Sequence, residues 1–308
     1  MERAVQERST TTGVPPLGEA VAASRQSFAA SAIGRVDYYS DLTAAGRPLV
    51  LIHSINAAAS SREVAPLFEQ YRATRPVYSL DLPGFGHSAR PAGDYSPALY
   101  AETIAGFLGQ VVGRPADVLA LSLSAEFAAR AALAHPEHFA SLVLVSPTGF
   151  DRRPLPGNRV LRLWRGILGL PLVGQGLFAL VASRPSIRHF LGRSFPDGIP
   201  SALFDYACAT SHQPGARHAP LAFVSGRLFT PNACDQLYDR LTGCPVLVIA
   251  DQDPYIGFDR LPGFVAVHPD WQSIRLAPHQ GLPQWGRLSD LAAALDAFWS
   301  GVPVGGGN

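Results

Sequence analysis

Ser122, Asp253 and His279 follow one another along this chain, each just after an apolar run of strand length. Nucleophilic acyl chemistry needs these three residue types. A serine oxygen attacks a carbonyl, a histidine takes and returns the proton, and an aspartate orients the imidazole and stabilises its charged form. It also needs donors for the oxyanion that develops. Ser122 closes the run Val118-Leu119-Ala120-Leu121 and is flanked at −2 and +2 by Ala120 and Ser124, with a helix-like stretch from Glu126 following at once. A strand–sharp turn–helix holds such a serine in a strained conformation and brings its −2 and +2 neighbours almost together, so only small residues fit. The same segment also reads as a serine capping a buried helix, because Ser is a favoured N-cap. Ser124 is the poorer nucleophile, since its own +2 residue is Glu126.

In open α/β sheets, reactive groups gather beyond the carboxyl ends of strands. After the run Pro245–Ala250 come Asp251-Gln252-Asp253, after 273–277 comes Pro278-His279, and after Pro48–Ile52 comes His53-Ser54-Ile55-Asn56. Both Asp251 and Asp253 are candidate acids on position alone. A lone loop histidine is most often structural, and this chain has nine. The order and the strand-end placement are what single out His279.

The elements that must hold these residues follow from periodicity. Strands are expected at 36–39, 48–53, 77–80, 117–121, 141–145, 245–250 and 273–276. Helical spacing is expected around 61–72, near 96–112, after Ser122 and near 287–300. Continuous apolar strands alternating with helices belong to a mostly parallel sheet buried on both faces. Residues 1–34 read as a tail with a short helix over 17–31, 35–149 and 236–300 as the two parts of an α/β core, and 301–308 as an unstructured tail. Residues 150–235 carry helical spacing without a convincing strand and read as a helical lid inserted in the core. Within it and beside it, Trp164, Phe178, Phe190, Phe204 and Trp285 are candidates to line an apolar pocket, although any one of them is more often core.

Composition narrows the function classes. The chain has 308 residues, enough for one large domain or one with an insertion, and a net charge of +1 gives no global field for nucleic acid or anionic membrane. The Pro83-Gly84-Phe85-Gly86 loop lacks the glycine fingerprint that opens a nucleotide-binding helix. No apolar run is long enough for a membrane span and no secretory leader is visible, so a cytoplasmic place is expected. Cys208, Cys234 and Cys244 lack metal-like spacing and read as reduced, buried thiols. No clustered His/Asp/Glu set calls for a metal, and no cofactor is expected.

The segment Asp81-Leu82-Pro83-Gly84-Phe85-Gly86-His87-Ser88 closely matches the Asp-x-Pro-Gly-x-Gly-x-Ser loop of the α/β-hydrolase superfamily. His135-Pro136-Glu137 and the following Leu142–Val145 match in register, and the spacing from Pro136 selects Ser122. Over about residues 35–300 the chain resembles the lid-bearing esterase, epoxide-hydrolase and C–C-hydrolase branch of that superfamily. The resemblance implies Ser122 as nucleophile, His279 as general base and Asp253 as acid. It implies an oxyanion hole from the backbone N–H groups of Ile55 and Leu123, with His53 bracing the loop and Ser54 either supporting the oxyanion or filling space. The implied activity is cofactor-free cleavage of an ester or related acyl compound with an apolar portion; C–C cleavage, acyl transfer and a ligand-binding role are the alternatives. A serine at the elbow disfavours dehalogenation and epoxide opening, which use aspartate. The chain departs from the family pattern where His-Gly becomes His53-Ser54, Gly-x-Ser-x-Gly becomes Ala120-x-Ser122-x-Ser124, and Gly-His becomes Pro278-His279.

Overall fold

The computed structural model describes residues 15–30, 33–152, 166, 171–250 and 252–302. The chain runs through β1 (Ser24–Ala30), β2 (Gly34–Asp41), β3 (Leu49–Ile52), α1 (Ala65–Tyr71), β4 (Val77–Leu80), α2 (Pro97–Phe107), β5 (Ala116–Leu121), α3 (Ser124–Ala134) and β6 (Phe139–Val145). A helical segment follows, with α4 (Pro171–Val181), α5 (Arg184–Gly192), α6 (Ser201–Ser211) and α7 (His218–Val224). The core then resumes with β7 (Val246–Ile249), β8 (Trp271–Ile274) and α8 (Leu288–Ser300).

The strands form one sheet in the order β1-β2-β4-β3-β5-β6-β7-β8, parallel from β4 to β8 and antiparallel at β1 and β2. Its central strands are apolar throughout because each face has its own core. Val50, Ile52, Val118, Ala120, Leu142, Leu144, Val246 and Val248 point to the side that holds α2 and α3. The alternate residues Leu49, Leu51, Leu119, Leu121, Val143, Val145, Leu247 and Ile249 point to the side that holds α1 and α8. Period-two alternation of side chains makes a single strand serve both layers. Full burial of one such side chain contributes about 1.5–3 kcal/mol, and Leu119→Ala would cost about 2–5 kcal/mol once the cavity is included.

The sequence order of neighbours reverses at β3, which lies between β4 and β5. Ligands in open α/β sheets bind in the crevice beyond the carboxyl ends of strands at such a reversal. The loop after β3 carries His53, Ser54 and Ile55, and the turn after β5 carries Ser122, so both open onto that crevice.

Two expectations are corrected. Residues 17–31 do not form a short helix: Ser24–Ala30 is β1, paired antiparallel with β2 from Ser24 opposite Ser40 to Ala30 opposite Gly34. Its outward positions are polar and exposed, as an edge strand allows, and Phe28 packs against the core beside Phe107. β8 ends at Ile274, two residues short of the expected run, which lengthens the loop that leads to His279. The expected lid is helical where it is described; Val160–Trp164 and the expected tails at 1–14 and 303–308 lie outside the described residues. The three cysteines are free and buried. Among the described residues no helix is long and apolar enough to cross a membrane.

Candidate active site

Ser122 sits between β5 and α3 with φ at +52°, in the left-handed region that ordinary side chains avoid. Holding a non-glycine residue there costs about 1–2 kcal/mol, and such strain persists only when neighbours over-determine it. The neighbours are evident. Ser122 N–H donates to the Val145 carbonyl at 2.9 Å, and Ala125 N–H donates back to the Ser122 carbonyl at 3.1 Å. Ala120 and Ser124 at −2 and +2 are fully buried, so neither position has room for a larger side chain. Ser124 does more than fit: its Oγ donates to the His53 carbonyl at 2.6 Å, joining the elbow to the β3 loop.

His53 is fully buried and held at both ring nitrogens. Leu82 N–H donates to Nε2 at 2.9 Å, so Nε2 carries no proton; Nδ1 carries it and lies 2.6 Å from the Ser54 carbonyl. This neutral, doubly bonded imidazole braces the loop and has no free nitrogen for proton transfer. The Ser54 hydroxyl donates to Glu63 Oε1 at 3.1 Å and accepts from Asn56 Nδ2 at 2.8 Å. Its N–H donates to Glu63 Oε2 at 2.8 Å, so Glu63 grips the loop from below. The Ser54 proton is therefore engaged by Glu63 and not offered to the crevice. Among the described residues, the N–H groups of Ile55 and Leu123 meet no acceptor. Leu123 directly follows Ser122, and Ile55 lies on the β3 loop that the Ser124–His53 bond joins to the elbow.

The most specific sequence motif turns out to be the scaffold behind this loop. The buried Asp81 carboxylate accepts from Ser61 N–H at 2.8 Å and His87 N–H at 2.9 Å. Gly86, at φ +52°, lies so close that a Cβ would meet the Asp81 carboxyl at 2.0 Å. Ser88 Oγ donates to the Asp81 carbonyl at 2.5 Å and receives Asp37 N–H at 2.8 Å. His87 and Ser88 thus shape the turn, and Leu82 is delivered to His53.

The acid and base candidates lie on adjacent loops. Asp253 follows β7, His279 follows β8, and a parallel bridge between Gln252 and Gln280 ties the two loops together. Asp253 Oδ1 accepts from Tyr255 N–H at 2.8 Å and Ile256 N–H at 2.9 Å. Gly281, at φ +91°, packs against the other oxygen: a Cβ there would come within 2.6 Å of Asp253 Oδ2. Gly281 N–H points at His279 Nδ1, 3.3 Å away. Burial raises the Asp253 pKa above the ordinary carboxylate value, opposed by the two N–H donors and by the Ser146 hydroxyl. Ser146 Oγ stands near the carboxylate but outside ordinary hydrogen-bond geometry. Ser146 is itself at φ +46° directly after β6, a backbone outlier that no sequence pattern flagged. Asp251 lies outside the described residues.

A second buried carboxylate braces the elbow helix. Glu126 accepts from the Thr148 hydroxyl and from Thr230 N–H at 2.8 Å, linking α3 to the β6 exit and to the return of the helical insertion. Burial raises its pKa against those two donors. Its +4 position from Ser122 gave no signal of this role.

The pocket candidates separate. Phe204, on α6, is buried with Ile187, Ala207 and Cys208 and packs on Ala58 from the β3 loop. Phe178 is half-buried on α4. Phe190 is half exposed, and its carbonyl receives the Tyr255 hydroxyl at 2.8 Å, which latches α5 to the Asp253 loop. Trp285 belongs to the opposite layer with α1 and α8, and its indole N–H donates to the Glu63 carbonyl at 2.8 Å. Trp164 lies outside the described residues. Cavities of about 620 and 630 Å³ lie elsewhere, one lined by Arg130, Asp235 and Arg240, the other by Arg25, Arg35, His87 and Arg90. Both are open and polar, and neither includes Ser122, Asp253 or His279. His135, Glu137 and His138, at the far end of α3, form a group of possible metal ligands that no sequence pattern singled out.

A model of the alpha/beta hydrolase family matches residues 49–294. The chain is 30% identical over 168 residues to a 1-acylglycerol-3-phosphate O-acyltransferase, ABHD5, of Rattus norvegicus, covering 49% of this chain and 47% of that protein. It is 33% identical over 105 residues to a 2-hydroxymuconate semialdehyde hydrolase of Pseudomonas putida, covering 34% and 37%. The chain thus spans less than half the length of these curated relatives. Among solved structures, a serine hydrolase involved in carbazole degradation superposes with a TM-score of 0.71 at 17% identity, covering 91% of this chain and 99% of the other. That likeness is one of fold.

Proposed function

The chain belongs to the alpha/beta hydrolase family, and from that premise we propose that it is a serine hydrolase of carboxylic esters or related acyl compounds with an apolar portion. The observation that supports the reading is Ser122 held at φ +52° at the end of β5, with the acceptor-free N–H of Leu123 next in the chain and that of Ile55 on the loop tied to the elbow by Ser124. A strained, half-buried serine costs backbone energy that a glycine in the same turn would not.

In this reading, Ser122 Oγ attacks the acyl carbonyl while the His279 imidazole takes its proton. Asp253 stabilises the imidazolium, and the N–H groups of Ile55 and Leu123 bind the oxyanion. Collapse expels the alcohol, protonated by His279, and leaves an ester on Ser122. Water, deprotonated by His279, attacks that ester and releases the acid and the free serine. No cofactor enters the cycle. Phe204, Phe178 and the helices α4–α6 would supply the apolar wall.

A second reading keeps the same residues for C–C bond cleavage or acyl transfer. The named activities of the two curated relatives favour it, since one is a semialdehyde hydrolase and one an acyltransferase. The test is intact mass after treatment with a fluorophosphonate, followed by p-nitrophenyl esters of graded acyl length. A single adduct absent in Ser122→Ala and slow in His279→Ala, with ester turnover, supports hydrolysis. An adduct without ester turnover favours the second reading. A folded wild type that resists both fluorophosphonate and small sulfonyl fluorides sinks the serine-nucleophile reading.

A further inference from the structure

We propose that His135, Glu137 and His138 form a zinc-binding site at the C-terminal end of α3, independent of the acyl chemistry at Ser122. The three residues each offer one ligand atom, and these atoms all lie within 4.8 Å of one another. His135 Nδ1 is 3.4 Å from Glu137 Oε1, and His138 Nε2 is 3.8 Å from the same oxygen. Zinc bonds of about 2.0–2.1 Å in a tetrahedron place ligand atoms about 3.3 Å apart, so one edge is already at the required length and another is within a small side-chain rotation. Two imidazoles and one carboxylate are a donor set suited to zinc; magnesium and calcium prefer oxygen throughout. The fourth position would be left to water.

The backbone presents these groups together. His135 ends α3 through its N–H to the Ala131 carbonyl at 2.8 Å, and the tight turn Pro136–His138 follows, closed by His138 N–H to the His135 carbonyl at 3.2 Å. Pro136 fixes the turn between the first and second ligands. The His135 and His138 rings are nearly parallel, 17° apart, with centroids at 5.8 Å. Gly109 faces His138, and a Cβ there would come within 3.1 Å of Nε2. The absent side chain leaves room at the ligand atom. The cluster joins the end of α3 to the start of β6, at the opposite end of α3 from Ser122, which assigns the metal a fastening role and no part in catalysis.

The test uses the full chain without an affinity tag, dialysed against zinc chloride and read by elemental analysis and thermal melting. One zinc per chain is expected, with a raised melting temperature. His138→Ala should weaken binding by more than about tenfold and remove the thermal shift, while Glu137→Gln weakens it less. The fluorophosphonate labelling rate should be the same with and without zinc. No binding at tens of micromolar zinc would mean that the cluster is a hydrogen-bonded histidine–glutamate set only, and the proposal fails. Zinc retained undiminished by the His135→Ala/His138→Ala double variant places the metal elsewhere and also overturns it. These side chains are on an exposed turn, so the variants should fold, and circular dichroism checks that they do.

Discussion

The Ser124 hydroxyl donates to the His53 carbonyl at 2.6 Å, and this one bond couples the elbow that carries Ser122 and Leu123 to the β3 loop that carries Ile55. Where related elbows carry glycine, this chain carries a side chain that supplies a buried carbonyl with its donor. Ser124→Ala leaves that carbonyl unsatisfied and should cost about 1–3 kcal/mol of stability. It should also slow fluorophosphonate labelling, because Ile55 and Leu123 are no longer held in register. Urea midpoints and labelling rates check both. Unchanged labelling in a destabilised variant would show that the bond serves folding alone.

Ser122→Gly separates strain from chemistry. Glycine adopts φ +52° without penalty, so this variant should gain about 1 kcal/mol while losing all labelling. Thermal melting measures the gain. A loss of stability instead would mean that the serine side chain is held by favourable contacts that outweigh its backbone strain.

Gly281→Ala should disable the site without unfolding the core. The added Cβ would stand 2.6 Å from Asp253 Oδ2, and alanine resists φ +91°. The acid and base loops must then separate. Turnover and labelling should fall by at least about a hundredfold, since misplacement by an ångström has that effect. The sheet signature in circular dichroism should persist. Wild-type kinetics in this variant would remove Asp253 from consideration as the acid.

The pH response of Asp253 should carry opposite signs for activity and stability. Burial raises its folded pKa, so the acid limb of kcat/KM should lie above the ordinary carboxylate range as the ion is lost. The folded state binds that proton more tightly than the unfolded chain does. Ionised Asp253 therefore weighs against the fold above its folded pKa, and this cost is relieved as pH falls through that value. Asp253→Asn should flatten the stability response in that window while abolishing turnover.

Glu126 follows the same sign and offers a variant away from the reacting atoms. In Glu126→Gln the amide oxygen can accept from Thr230 N–H while the NH₂ group donates to the Thr148 hydroxyl. Stability at neutral pH should be equal or slightly higher, and less dependent on pH. Glu126→Ala leaves Thr230 N–H buried without an acceptor and should cost about 1–3 kcal/mol. Chemical denaturation across pH 5–8 distinguishes the two.

Most of the sheet was legible because its strands are short apolar runs that need both faces covered; Val77–Leu80 was read to the residue. β1 was not, since Ser24-Arg25-Gln26-Ser27 is an exposed edge whose pairing with β2 is a tertiary fact. The sharp turn at Ser122 was legible from the size of its neighbours, and the bracing of its loop by His53 from the family resemblance. The roles of Glu63, Ser146 and Glu126 were not, because each acts through contacts made across elements. The convergence of His135, Glu137 and His138 was not legible for a different reason: the three are consecutive apart from Pro136, and only the turn brings their donor atoms together.

Helix α3 has eleven residues, so its ends are about 16 Å apart, and its aligned peptide dipoles leave about half a positive charge at the first end and half a negative charge at the last. The positive end lies at Leu123, where negative charge would grow on a reacting carbonyl oxygen. The negative end lies at His135, which is where cations are favoured. One element is therefore polarised correctly for two unlike guests. Salt screens exposed charges within about 8 Å, so mutations at the histidine turn should leave the electrostatics at Ser122 largely untouched.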